Sequence, residues 1–177
     1  MKNKRKFIWL SLYILIYSFS VLSSHALATE SELKNKTKAV FIYKLLRYIS
    51  WPESKKPPSN KPYMLCIVEQ NELFGHLKYI EEKDKGFVVQ AIKDYSDADD
   101  CHMVFVSASS NISTQQILRA TNSILTIGES SDFFDRGGMI YFSYGASGLK
   151  LNINRSRLME SGLKISSNLL RFADIVK

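Results

Sequence analysis

Cys66 and Cys101, His76 and His102, the charged run Glu129, Asp132, Asp135 and Arg136, and the Gly137-Gly138 pair are the residues whose types and spacing bear on chemistry. Cys101 and His102 are adjacent on a stretch that reads as a strand. Strand neighbours point to opposite faces, so they are in the wrong geometry for a thiol–imidazole pair. His102 is read as a sheet-surface histidine and His76 as a solvated residue on a helix. Two histidines without carboxylates at ligand spacing do not compose a metal site. Gly137-Gly138 precedes a strand, and no glycine-rich phosphate motif is present. The pair is read as a backbone position that needs positive φ or close approach, with ligand contact as the alternative. Glu129, Asp132 and Arg136 follow a strand's carboxyl end, where open α/β sheets bind ligands. They are read as a turn and helix start, and alternatively as a candidate crevice. No catalytic set converges, and no cofactor is implied.

The elements that must position these residues begin with a helix over Thr37–Ser50, stopped by Trp51-Pro52. Ile42, Leu45, Leu46 and Ile49 form its buried stripe. Phe41, Tyr48 and Trp51 are surplus to that stripe and are taken as a candidate partner surface, with burial between two layers as the bland alternative. The proline-rich loop Glu53–Pro62 leads to a continuous apolar strand, Tyr63–Val68. A helix over Asn71–Lys83, strands over Phe87–Ile92 and Cys101–Ser107, a short helix over Ser113–Asn122 and a strand over Ile124–Ile127 follow. Met139–Tyr144 and Leu149–Asn154 alternate with period two around Gly145–Gly148, the pattern of an antiparallel hairpin. After one helical turn near Arg157–Glu160, the positions Ile165, Leu169, Phe172, Ala173 and Val176 are spaced as the stripe of a final helix. The expected fold is therefore α/β: one layered, Rossmann-like domain with a mostly parallel sheet, a closing antiparallel hairpin and helices packed on it.

The first 28 residues read differently from the rest. Lys2, Lys4, Arg5 and Lys6 precede an apolar run over Phe7–Leu22, and Ala26-Leu27-Ala28 offers small residues for cleavage. That layout reads as a secretory signal peptide cleaved after Ala28, leaving residues 29–177 as the domain in the periplasm, with an uncleaved membrane anchor as the alternative. The leader carries four cationic and no acidic residues, so its removal lowers the formal charge from +7 to +3. A balance that small gives no warrant for nucleic-acid binding. In an oxidising compartment Cys66 and Cys101 permit one intramolecular bridge. An intermolecular bridge, or reactive or metal-binding thiols, are the alternatives. A bridge within the chain requires their strands to be neighbours or nearly so.

These pieces, in order, resemble the YfiR-like family over about Lys38–Val176. The residues that carry the resemblance are Lys38-Ala39-x-Phe41-x-Tyr43 leading to Trp51-Pro52, Leu65-Cys66-Ile67-Val68 with Phe74-Gly75, and Cys101-His102-x-Val-Phe-Val. Leu125-Thr126-Ile127-Gly128, Phe134-x-x-Gly137-Gly138-Met-Ile140-x-Phe142, Leu151-x-Ile153-Asn154 and Gly162-Leu163-Lys-x-Ser166-Ser167-x-Leu169-Leu170 complete it. The resemblance implies a non-enzymatic periplasmic regulator that represses an inner-membrane signalling protein. The partner it implies is the periplasmic domain of a diguanylate cyclase or sensor kinase, with capture by an outer-membrane lipoprotein. It also implies a homodimer and a disulfide between Cys66 and Cys101. The runner-up is a small-ligand or peptide-binding accessory module of an envelope sensor, using the crevice at Glu129, Asp132 and Arg136.

Overall fold

The computed structural model describes residues 30–69, 71–93, 95–108, 110, 123–146 and 148–176. The leader and the helix expected over Ser113–Asn122 lie outside the described residues. The chain divides into two compact units, residues 1–35 and 36–177. In the first, residues 30–35 are helical, with Glu30 and Lys34 paired one turn apart at 2.6 Å.

The second unit is an α/β domain. Its part of the first helix, α1, covers residues 36–45 and ends earlier than the sequence suggested. Leu46, Arg47 and Tyr48 donate back three residues to Tyr43, Lys44 and Leu45, which tightens the last turn. The chain then turns extended as β1, Ile49–Ser50, ahead of Trp51-Pro52. A residue preceding proline is disfavoured in the helical region, and Trp51 is the first non-strand residue after β1.

Strands β2 (Tyr63–Val68), β3 (Phe87–Ile92), β4 (Met103–Val106), β5 (Leu125–Gly128), β6 (Ile140–Gly145) and β7 (Gly148–Ile153) form the main sheet with β9 (Ala173–Val176). Its order is β3-β2-β4-β5-β6-β7-β9. The first five strands are mutually parallel, β6 and β7 are the antiparallel hairpin, and β9 runs parallel to β7. A Rossmann-like, mostly parallel sheet is thus what the apolar strands and short helices build. The hairpin alternation holds residue by residue: Ile140 faces Ile153, and Phe142 faces Leu151.

Period two sorts the parallel strands into two cores. Leu65, Ile67, Met103, Phe105, Leu125 and Ile127 join Ala39, Ile42 and Leu45 of α1, and Leu73 and Leu77 of α2 (Glu72–Lys83), on one side. Cys66, Val68, Val104, Val106 and Cys101 face the other, with Tyr95 and Phe133. Asn71 caps α2 by accepting the Leu73 amide at 3.1 Å.

The end of the chain corrects the sequence expectation. Beyond the short helix α4 (Arg155–Glu160), in place of one helix there is β8 (Lys164–Ile165), which pairs with β1, then a single helical turn, then β9. Apolar residues at these spacings fit either pattern, and the caps decide between them. Ser166 closes the start of the turn at Ser167–Leu170. Phe172, assigned to the buried stripe, is 77 % exposed. The hairpin consequently does not close the sheet; β9 lies outside it.

Candidate functional site

The expected crevice residues follow the carboxyl end of β5. Glu129 pairs with Lys38 of α1, and its other oxygen accepts the Ala108 amide at 3.4 Å. Lys38 is only 9 % exposed, so this pair is largely removed from water. Asp132 and Arg136 instead pair with each other, one turn apart at 2.8 Å, on α3 (Ser131–Asp135) and its cap. The possible crevice of Glu129, Asp132 and Arg136 is thus divided between two ion pairs, and α1 supplies the charge that Glu129 meets. Lys38 entered the sequence reading only as part of a motif. A lysine on the apolar side of a helix was the signal that it had a buried partner.

The glycines here serve packing. A Cβ on Gly128 or Gly138 would lie 2.3 or 2.2 Å from the Phe133 ring, so both must be glycine for that ring to seat. Gly137 has φ 105°, where side chains are strained. Close approach and positive φ, the two structural alternatives, are thus divided between the two adjacent residues. Ser130 caps α3 by accepting the Phe133 amide at 3.1 Å.

The three residues of the candidate partner surface separate. Trp51 is 6 % exposed, its ring lies 4.9 Å from that of Tyr63, and its indole N–H donates to the His102 carbonyl at 3.2 Å. It is a core residue and is withdrawn from that surface. Phe41 and Tyr48 remain together. With Lys44, Leu45, Leu149, Leu151, Leu169 and Phe172 they line a groove of about 340 Å3. Leu45, Leu151 and Leu169 are its buried floor, while Phe41 and Phe172 stand exposed at its rim. The groove joins α1 to β7 and to the turn α5 (Ser167–Leu170). Sequence reading found its α1 side through surplus aromatics, but missed Phe172 by assigning that residue to a helix.

Cys66 and Cys101 are bonded, with Cα atoms 5.9 Å apart. Leu65 pairs with Met103 and Cys66 with Val104, so β2 and β4 are the neighbours that a bridge requires. His102 is half-buried beside it, and its Nδ1 accepts the Met64 amide at 3.0 Å. Burial, reinforced by the Lys55 ammonium, holds its imidazole below the usual range. The imidazole Nδ1 thus acts as an acceptor that staples the start of β2. Tyr43 of α1 donates to Asp84, which also accepts the Gly86 amide at 2.7 Å; the tyrosine bond, with that amide, holds the carboxyl below its ordinary range. Among the described residues, no group of three or more His, Cys, Asp or Glu is placed to hold a metal ion.

The family model described as DUF4154, YfiR/HmsC-like, matches residues 35–174. No curated protein matches the chain. Among solved structures, a conserved domain protein from Vibrio cholerae O1 biovar El Tor is similar at 14 % identity and a TM-score of 0.45. That match covers 67 % of this chain and 55 % of the other, so the chain spans about half that protein's length. The family match takes in α1, every strand from β1 to β8 and the start of β9, the disulfide and the groove. The chain belongs to the YfiR/HmsC-like family.

Proposed function

We propose that this protein is a non-enzymatic periplasmic regulator that binds the external domain of an inner-membrane signalling protein and represses it. The partner assigned is a diguanylate cyclase, so occupancy lowers cyclic-di-GMP inside the cell; an outer-membrane lipoprotein competes for the regulator, and the regulator acts as a homodimer. Family membership supports a regulatory role. The observation that carries the docking reading is the groove. Its exposed Phe41 and Phe172 stand over a floor of leucines, with Lys44 on the rim. Exposed aromatics around an apolar floor are the composition of a protein-binding hot spot.

The small-ligand reading placed its site between Glu129 and Arg136. Lys38 takes up Glu129, and Asp132 takes up Arg136, which favours docking over that alternative. Direct binding tests the proposal. Purified periplasmic domains of the diguanylate cyclases from the same bacterium would be titrated against wild type, Tyr48→Asp and Phe172→Asp. One domain is expected to bind, with affinity reduced at least about tenfold, or ~1.4 kcal/mol, in either variant. Equal binding by all three proteins, or no binding by any domain, would remove the reading.

A further inference from the structure

A second cavity lies away from the groove, at the amino end of β2. It measures about 570 Å3, within the range that holds small molecules. Its lining combines three kinds of group. Ile49, Trp51 and Pro52 give an apolar floor, and Tyr63 stands against Trp51 with ring centroids 4.9 Å apart. Lys56 and Lys164 are the cations of the lining, and Glu53 is its acid.

The charge at this mouth is unbalanced. Glu53 meets Lys56 at 3.4 Å, both exposed. Lys164 has no acidic partner among the described residues, and Lys55 turns away to donate to the Asp99 carbonyl. Two lysines against one glutamate leave one net positive charge beside an aromatic wall. The backbone around it is fixed: Ser50 pairs with Lys164 across the β1–β8 ribbon, and Ser166 donates to the Tyr48 carbonyl at 2.8 Å. The opening is thus held by hydrogen-bonded ribbon and by the buried Trp51, so it is preformed.

We propose that this cavity binds a small organic anion whose flat apolar body lies against Tyr63 and the Trp51 floor and whose anionic group meets Lys164. Lys56, half-neutralised by Glu53, adds a weaker contact. The site is separate from the docking groove and does not depend on it.

Fluorescence reads the site directly. Trp9 and Trp51 are the two tryptophans of the chain, so Trp9→Phe in the full chain leaves Trp51 as the reporter. Benzoate and phenyl phosphate are the probes, with inorganic phosphate and benzyl alcohol separating charge from ring. Benzoate or phenyl phosphate is expected to change Trp51 emission saturably. Losing one charged contact weakens that response about tenfold in Lys164→Gln. Lys164→Arg restores it, and Lys93→Gln, at an exposed lysine outside the cavity lining, leaves it unchanged. A response that never saturates, or one equal in Lys164→Gln, would overturn the proposal. So would inorganic phosphate or benzyl alcohol binding as tightly as the two probes. The assay contains no partner protein, so its failure leaves the docking proposal standing, and the reverse also holds.

Discussion

Trp51 shows how a single residue changes meaning between chain and fold. As an aromatic following a helix it reads as surplus surface, yet its indole is buried against Tyr63 and bonded to the His102 carbonyl. Trp51→Ala is expected to cost about 3–5 kcal/mol of stability, as large-to-small core changes do. Tyr48→Ala, at a half-buried groove position, is expected to leave the melting temperature within a few degrees. Thermal melts of the two variants side by side check this; equal losses would return Trp51 to the surface or Tyr48 to the core. His102 makes a pH prediction at the same scale. Its folded pKa is depressed by burial and by Lys55, so the unfolded chain binds the proton more readily. Stability is then full above the unfolded value, about pH 6.5, and declines as pH falls below it. His102→Asn keeps an acceptor for Met64 but does not titrate, and should flatten the fall in melting temperature between about pH 7.5 and 5.5. An unchanged slope would assign the effect to other groups.

At the scale of elements, α1 is held to the sheet by apolar burial and by two polar clasps. Lys38 meets Glu129 beyond β5, and Tyr43 meets Asp84 after α2. The Lys38–Glu129 pair is the more buried of the two, with side chains 11 % and 19 % exposed. Removing one partner strands the other charge and costs about 3–5 kcal/mol, whereas replacing both by apolar residues of similar size is close to neutral. Denaturant unfolding of Lys38→Met, Glu129→Leu and the double variant should therefore show two large losses and a substantial recovery. Additive losses would contradict the clasp. These elements also show what the sequence makes legible. Continuous apolar runs gave β2, β4 and β5, and period-two alternation gave the β6–β7 hairpin, because burial on both faces or on one face leaves those patterns directly. The chain's last segment was misread because Leu169, Phe172 and Ala173 satisfy a helical spacing while the Ser166 cap and the pairing of β9 with β7 override it. The two-residue strands β1 and β8 were not legible, since strands so short have no period; each exists through its partner. Of the site, the aromatic edge on α1 was visible. Its other wall, on β7 and α5, is distant in sequence and is brought there by the tertiary fold alone.

For the whole molecule, the disulfide joins β2 to the segment just before the neighbouring β4 and closes a sequence separation of 35 residues, which in the chain-entropy account stabilises the fold by about 4 kcal/mol. That bridge suits an oxidising compartment, and the domain it secures carries the groove on its opposite, α1-covered side, since the cysteines and the groove leucines belong to different cores. The bridge and the proposed docking groove thereby lie on different faces of one sheet. In the proposed function the groove represses cyclic-di-GMP synthesis from outside the inner membrane. The most direct measurement is cellular cyclic-di-GMP in the bacterium that makes the protein, with the gene deleted and then restored as wild type or as Phe172→Asp at matched protein levels. Deletion is expected to raise the nucleotide, wild type to return it to the starting level, and Phe172→Asp to leave it high. A level that does not respond to deletion, or that Phe172→Asp restores fully, would contradict the account.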